Sequence, residues 1–365
     1  MTVSDKPFVY DHDNVGVADA VLEAQRIAFG PIIFQAAVCL RDFGILACLK
    51  RRGAEGATLD EIVADSALSG YAAGVLLDAG LSARMIYEKE ERFYLGRVGL
   101  CLLKNKMTRI NMDFIRDICY AGMANLGQAI REGAPGGLSV FGNWPTIYPA
   151  LSSLPEPAKK SWFAFDHFYS DNAFSPVLPH VFRDHPRHIY DVGGNTGRWA
   201  LRCVEYDADV HVTVLDLPEQ VALLEGELAA QQPDFSTRIH ARPINILEDG
   251  ALPGEADVWW MSQFLDCFPE NQIIGILTRI RRAMKPDARI FILEPLCDRQ
   301  RFEESALTLN VTSLYFTCMA NGNSRFFRAK MLEEYLGRAG FMIEETIDGL
   351  GIGGHTLTIA VMRRG

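Results

Sequence analysis

From residue 188 onward, short β-branched and aromatic runs alternate with helical stretches, and this alternation restricts the fold more than any other feature. The runs are HIYDVGG, VTVLDLP, TRIHARPINI, ADVWWMSQFL and ARIFILEPL. Helices are predicted from Thr196, from Glu219 and over residues 271–284, with a final helix and hairpin closing the chain. Strands separated by helices predict an α/β fold with a parallel, doubly wound sheet.

The first hundred residues read differently. From Val17 to about Leu103 apolar residues recur at three- and four-residue steps, as in AVLEAQRIAFGPIIFQAAVCLRDFGILACLK, which is a helical period. Thr58 is placed to cap a helix, and Glu61, three residues on, completes a capping box. A second short helix, SGYAAGVLLDAGLSARM, is followed by Ile86-Tyr87, charged residues and Phe93-Tyr94-Leu95, which fits a small hairpin. Helix, turn, helix, hairpin is a winged-helix pattern. A DNA-reading version needs basic side chains on its second helix, and this one has only Arg84 near its end, so a dimerisation or lid role is expected. The stretch GAPGGLSVFGNWPTIYPALSSLPEP, rich in Gly, Pro and Ser, is expected to carry the chain between domains. The expected division is a winged-helix-like domain over 1–110, a helical linker region over 111–160 and the sheet domain over 161–365.

Composition narrows the partners. A chain of 365 residues with 48% apolar positions can hold two cores. Its 36 Lys and Arg against 46 Asp and Glu give a net charge of −10, which disfavours phosphate backbones and anionic membranes. The opening MTVSDKPFVYDHDN lacks the basic start and apolar core of a signal peptide. No later run approaches the ~20 apolar residues that span a bilayer, so a cytoplasmic protein is expected. The eight cysteines are scattered singly without C-x-x-C spacing, and no His and carboxylate cluster has metal-ligand spacing, so no metal is expected.

The chemistry concentrates at Asp191-Val192-Gly193-Gly194-Asn195-Thr196-Gly197, which ends the first strand of the sheet and opens a helix, where open α/β sheets place ligands. Glycines let the backbone approach a ligand closely, and a helix N-terminus attracts an anionic group. Gly193 and Gly197 lack the G-x-G-x-x-G register of dinucleotide binders, and Asp191 would repel a pyrophosphate. An ammonium would suit Asp191. S-adenosylmethionine (SAM) carries an α-ammonium, an α-carboxylate and a ribose, and Asp216, at the end of VTVLD, sits where strand-end carboxylates take ribose hydroxyls.

DVGGNTG, VLDLPE, MSQFLDCFPENQIIGILTRIRRAMKP, IFILEPL and RFFRAKMLEEYLGRAGF, in that order, resemble the class I SAM-dependent small-molecule O-methyltransferases of bacteria and plants, which carry an N-terminal winged-helix dimerisation domain. The resemblance covers nearly the whole chain. It implies a Rossmann-like sheet, a homodimer, and Asp191, Gly193, Gly194, Asn195 and Gly197 around the methionine moiety of SAM. It further implies Asp216 with Leu217 at the ribose and Asn245 with Ile246 beside adenine. Ser262 falls where the family usually has Lys, and Asn245 where it usually has Asp. Tyr169, Phe264, Asn310, Tyr315 and Phe316 match regions that line the acceptor pocket.

Similar enzymes read L-H-D-W after the fourth strand, with His as general base, whereas this chain reads Leu265-Asp266-Cys267-Phe268. A phenol of pKa ~10 needs a base, and a carboxylate near ~3.9 matches only where burial raises it. Three solutions stand side by side. Asp266 has a raised pKa and acts as base; His167, in FAFDHFYSDNAF, supplies the imidazole; or the acceptor is a ring carbon beside a phenol, as in aryl polyene-type head groups. Glu294 matches the family's acid that orients the base. The expected function is transfer of methyl from SAM to a small aromatic or polyketide-like acceptor at a phenolic hydroxyl. The other readings are ring-carbon methylation, a silent scaffold or regulatory binding protein, a nicotinamide oxidoreductase and a winged-helix regulator.

Overall fold

A computed structural model describes residues 6–231, 237–248 and 250–363; the first five residues of the opening segment lie outside them. The chain divides into two compact units, Tyr10–Arg116 and the remainder from Asp117 onward, which also takes in the stretch ending at Val9.

The first unit is mainly helical. It holds α1 (Val17–Ala28), α2 (Gly30–Asp42), α3 (Ile45–Arg52), α4 (Leu59–Ser66) and α5 (Gly70–Ser82), then the strands β1 (Ile86–Lys89) and β2 (Arg92–Leu95), and finally α6 (Arg97–Lys104) and α7 (Lys106–Phe114). The expected capping box starts α4: the Glu61 amide donates to Thr58 Oγ1 at 3.3 Å, and the Thr58 amide donates to Glu61 Oε2 at 2.9 Å. Two orphan donors of the first turn are thereby satisfied. Leu40, Ile45, Leu46, Leu49, Ile62 and Leu77 form the buried centre of this unit. Helix α1 buries none of its residues, and Val17, Val21 and Ile27 on it are exposed.

The second unit begins with α8 (Leu126–Glu132) and the long α9 (Glu156–Val181). Between them run two short 3-10 turns, Gly136–Val140 and Tyr148–Ser153. By contacts the chain divides at Arg116, and the Gly- and Pro-rich stretch packs within the larger unit. The physical reason is close packing. A Cβ on Gly137 would lie 2.6 Å from Met319 Sδ and 2.8 Å from Cys318 Sγ, and the Ile147 amide donates to the Ala320 carbonyl at 2.8 Å. Glycine here permits approach rather than flexibility.

A seven-stranded sheet follows, built from β3 (His188–Val192), β4 (His211–Asp216), β5 (Ile239–Pro243), β6 (Val258–Ser262), β7 (Arg289–Glu294), β8 (Phe341–Leu350) and β9 (His355–Met362). Its order is β5-β4-β3-β6-β7-β9-β8. The first five strands are parallel, and β9 pairs antiparallel with both β7 and β8, so the closing hairpin joins the sheet and makes it mixed. Helices α10 (Arg198–Tyr206), α11 (Pro218–Gln231), α12 (Glu270–Ala283), α13 (Glu303–Tyr315) and α14 (Ala329–Arg338) complete the unit.

Both faces of the sheet are covered. Trp260 stacks on Trp199 of α10 at 4.0 Å between ring centres, in a core shared with α9. Trp259, next along β6, points to the opposite face and packs with Ile273, Ile276 and Ile280 of α12. Successive side chains of a strand alternate faces, so a central strand buried on both sides is apolar along its length, as Val258–Met261 is. Strand order reverses between β3 and β6, and the crevice at their carboxyl ends is the topological switch point where such sheets bind ligands.

Candidate active site

The turn after β3 is shaped by its backbone. Gly193, Asn195 and Gly197 all have positive φ, at 73°, 49° and 73°. Gly194 lies against Asp191, where a Cβ would come 2.4 Å from Oδ2. The chain reverses tightly here and leaves a concave backbone surface in front of Asp191. Asp216, ending the neighbouring β4, accepts from the Asn195 amide at 2.8 Å through Oδ2 and from the Leu217 amide at 2.7 Å through Oδ1. One carboxylate thus ties the two strand ends together.

The cradle is short of partners. Asp191 Oδ2, Asn195 Oδ1 and Ser262 Oγ are buried without a hydrogen bond. A buried polar atom left unpaired costs on the order of 1–3 kcal/mol, so three converging on one crevice mark a place built for a polar guest. Burial, and then the charge of Asp216, pushes the Asp191 carboxyl up to about 8. Burial also raises Asp216, against the pull of the two amides it accepts from. Two acids held this way favour a cationic group, which would relieve both.

Two adenine-side expectations are placed differently from one another. Ile246 is buried in the core on the α12 face. Asn245 closes its own turn, accepting from the Leu247 amide at 3.1 Å and donating to Glu248 Oε1 at 2.9 Å. Phe264 leans over the glycine turn, so that a Cβ on Gly193 would meet its ring at 2.2 Å, and it packs edge-on to Phe268.

Beyond β6 the chain turns through Leu265–Cys267, which carries the buried Asp266. Glu294, ending β7, holds this turn: its Oε1 accepts from the Phe264 amide at 3.2 Å and the Leu265 amide at 3.0 Å, while Oε2 is buried without a partner. Glu294 therefore grips the backbone that presents Asp266. Burial moves the Asp266 carboxyl up to about 7; the Cys267 thiol, 3.6 Å from Oδ1, pulls it down, and the charge of Asp166 pushes it further up. Burial and then the charge of Asp266 raise Glu294 well above an ordinary carboxylic acid.

Asp166 was not among the expected residues. It lies on α9 one turn after Trp162, whose indole donates to the Tyr315 hydroxyl at 2.8 Å. Residues four apart share a helix face, so Trp162 and Asp166 look the same way. Burial and the charge of Asp171, opposed by Arg198, bring Asp166 to about 7. Tyr148 and Cys267 were also missed; the tyrosine hydroxyl lies beside the thiol, and burial raises both groups. An acid inside the aromatic run WFAFDHFY was the one visible signal.

His167 lies beside Asp166 and Asp171. It stacks on Phe163 at 5.9 Å, and its Nδ1 lies 3.7 Å from Asp166 and 3.9 Å from Asp171, which pairs with Arg198. Burial, and then the charge of Arg198, lowers its pKa. Tyr315 and Phe316 are both buried, and Phe316 packs against Phe326 at 5.2 Å. Asn310 is exposed, well round the same helix from Tyr315. Tyr169 packs on Phe165 and Phe168 and faces Gly353 in the β8–β9 hairpin. Among the described residues no group of His, Cys, Asp and Glu is arranged to hold a metal ion.

A doubly wound sheet with an acidic, glycine-rich cradle at its switch point defines a class I methyltransferase fold. Residues 177–342 match the O-methyltransferase domain family, and residues 22–93 match the Dimerisation2-like domain. Residues 177–342 are therefore similar to the O-methyltransferase family. It is 22% identical over 224 residues to the phenazine-1-carboxylate N-methyltransferase of Pseudomonas aeruginosa, covering 60% of this chain and 62% of that protein. It is 25% identical over 207 residues to the acetylserotonin O-methyltransferase of Macaca mulatta, covering 56% of this chain and 58% of that protein. The chain thus spans less than two thirds of either relative. The crystal structure of the S-adenosylmethionine-dependent methyltransferase SibL in its apo form superposes with a TM-score of 0.72 at 20% identity, over 94% of this chain and 99% of that one.

Proposed function

We propose that this chain transfers methyl from SAM to a phenolic hydroxyl of a small aromatic acceptor, with Asp266 as the base. The observation that carries the reading is a carboxyl buried at the carboxyl edge of the sheet, close after Ser262, with its pKa raised to about 7. An ordinary carboxylate lies some six units below a phenol; raising it by about three units makes proton transfer on the order of 4 kcal/mol less uphill.

The cradle fits SAM by the chemistry of its unpaired atoms. Asp191 would hold the α-ammonium, the N–H groups of the turn after β3 the α-carboxylate, and Asp216 the ribose hydroxyls, with Asn195 Oδ1 and Ser262 Oγ open to further polar atoms. When bound, SAM supplies an electrophilic methyl group on a sulfonium centre. Asp266 takes the phenolic proton, and Glu294 fixes the turn on which Asp266 stands. Phe264, Phe268, Trp162 and Tyr315 supply the apolar walls that exclude water and orient an aromatic ring.

The phenazine and acetylserotonin relatives, both named for aromatic compounds, support an aromatic acceptor. A homodimer through the Dimerisation2-like domain fits its exposed apolar residues Ile27 and Ile32. Eight free cysteines suit the reducing cytoplasm. The test is transfer of labelled methyl from SAM to a panel of phenols, run with the Asp266→Asn variant. Transfer by the native chain that the variant loses, at unchanged SAM affinity, supports the reading; full activity in the variant refutes Asp266 as base.

A further inference from the structure

Resting on that reading, we propose that Asn321 is a positioning residue for Asp266, its side-chain amide holding the far end of the turn whose near end Glu294 holds.

The turn Leu265–Cys267 is short, and Phe264, which precedes it, offers no capping side chain. Within it the Cys267 amide donates to the Phe264 carbonyl at 3.2 Å, and the Phe268 amide donates to the Leu265 carbonyl at 3.1 Å. So brief a 3-10 segment is held by what lies outside it. At one end Glu294 Oε1 accepts from the Phe264 and Leu265 amides at 3.2 and 3.0 Å. At the other end Asn321 Nδ2 donates to the Cys267 carbonyl at 2.5 Å. Two side chains from different elements thus anchor the turn, with the buried Asp266 between the anchors.

Asn321 is itself fixed. It follows the single π turn Phe316–Ala320, and its backbone amide donates to the Phe316 carbonyl at 2.9 Å. Such turns recur at functional sites. Its Oδ1 accepts from the amides of Asn323 and Ser324, each at 3.2 Å, and from the Ser324 hydroxyl at 2.9 Å. Flipping the side chain would set its NH2 against those donors, so the nitrogen stays on the Cys267 carbonyl. The backbone around it is packed. The Ile147 amide donates to the Ala320 carbonyl at 2.8 Å, and a Cβ on Gly322 would lie 2.4 Å from the Gly133 carbonyl oxygen.

The clamp keeps Asp266 in place and dry. Without the Nδ2 donor the Cys267 carbonyl loses its partner, and the residue next to Asp266, whose thiol lies 3.6 Å from Oδ1, is released. The turn then opens to water. Hydration favours the charged form of Asp266, so its carboxyl falls toward the ordinary range near ~3.9 and becomes a weaker base.

The test is an infrared difference titration of the full-length protein saturated with S-adenosylhomocysteine, with the Asp266→Asn spectrum subtracted to isolate the Asp266 carboxyl. Asn321→Ala is expected to lower that midpoint by about one pH unit or more. Ser324→Ala loosens the same loop but leaves the Nδ2 donor, and should hold the midpoint within about 0.3 unit. Asn321→Ser is the second variant, for the case in which Asn321→Ala does not fold. Its hydroxyl still accepts from the loop amides, as Ser does in place of Asn in such turns, but is too short to reach Cys267. It is expected to shift as Asn321→Ala does. Amide exchange across residues 264–268 should quicken about tenfold in the Asn321 variants alone. An unmoved midpoint in those variants, or an equal shift in Ser324→Ala, overturns the proposal. Saturation with S-adenosylhomocysteine separates this proposal from the reading beneath it. If that ligand binds and the Asn321 variants leave the midpoint in place, only the clamp fails; if it does not bind, the methyltransferase reading fails.

Discussion

With Asp191 against the ammonium, as proposed above, SAM binding is expected to release a proton. The Asp191 carboxyl is buried, its pKa is raised to about 8, and its Oδ2 has no partner. At pH 7 the free protein therefore holds a proton there. An ammonium placed against Oδ2 favours the charged form, so the pKa in the complex falls and the proton is expelled. The sign follows: a group that binds its proton more tightly in the free protein opposes binding below its free pKa, and affinity rises with pH. With a free pKa of about 8, the ionised fraction grows roughly ninefold from pH 6 to 7 and about fivefold from pH 7 to 8. The dissociation constant for SAM is expected to fall by those factors, about 1.3 and 1.0 kcal/mol. Calorimetric titrations at pH 6, 7 and 8, each in two buffers of different ionisation enthalpy, measure both the affinity and the protons released. Close to one proton is expected at pH 6 to 7, and Asp191→Asn should flatten the profile. An affinity constant within twofold across this range, with no buffer dependence, would falsify the assignment of Asp191 to the ammonium.

Four further outcomes are expected. Asp266→Asn should lower kcat by about 10²- to 10⁴-fold, the range of a lost general base, while SAM binds within about twofold of the native affinity; parallel loss of both places Asp266 in the cofactor site instead. Asp216→Ala removes charge-assisted hydrogen bonds worth on the order of 1.5–3 kcal/mol and should weaken SAM by about ten- to a hundredfold in the same calorimeter. Gly194→Ala puts a methyl 2.4 Å from Asp191 Oδ2 and should abolish SAM binding, and an unchanged titration would remove this turn from the site. Glu91→Gly should raise stability by about 1 kcal/mol in chemical denaturation, because Glu90 and Glu91 both sit at positive φ in the two-residue turn between β1 and β2, where a side chain is costly.

The sequence made legible those features that rest on period and local chemistry. The capping box at Thr58 and Glu61, the alternation of strands and helices and the small N-terminal hairpin each depend on residues a few positions apart. Whatever depended on distant packing did not show. Gly137 looks like linker glycine until Met319 and Cys318 are seen against it. The Glu90-Glu91 turn carries none of the Asn-Gly chemistry such turns usually display. Asp266 could be named as the substitute for the usual imidazole, but its raised pKa comes from burial and from Asp166, 100 residues earlier in the chain. His167 and Asp166 are adjacent in sequence and lie 3.7 Å apart, and their surroundings, Phe163, Asp171 and Arg198, are set by helix packing that adjacency does not show.

The base proposed above, Asp266, stands where similar enzymes carry an imidazole. In the resembling enzymes the two residues after Leu are His and Asp, a neutral base beside a fixed negative charge; here they are Asp266 and Cys267. The formal charge of the dipeptide is the same, moved one residue toward the strand. Had Asp266 arisen beside a second carboxylate at 267, two like charges on adjacent buried residues would have driven its pKa well past neutrality and left it protonated. The Cys267 thiol instead donates toward Oδ1, and that contact opposes the upward push of burial. The outcome, a carboxyl at about 7, falls near the value an imidazole has unaided. A carboxyl reaches that value only through its surroundings, so on the proposed reading a substitution at Cys267, Glu294 or Asp166 should shift the pH dependence of turnover before it abolishes it.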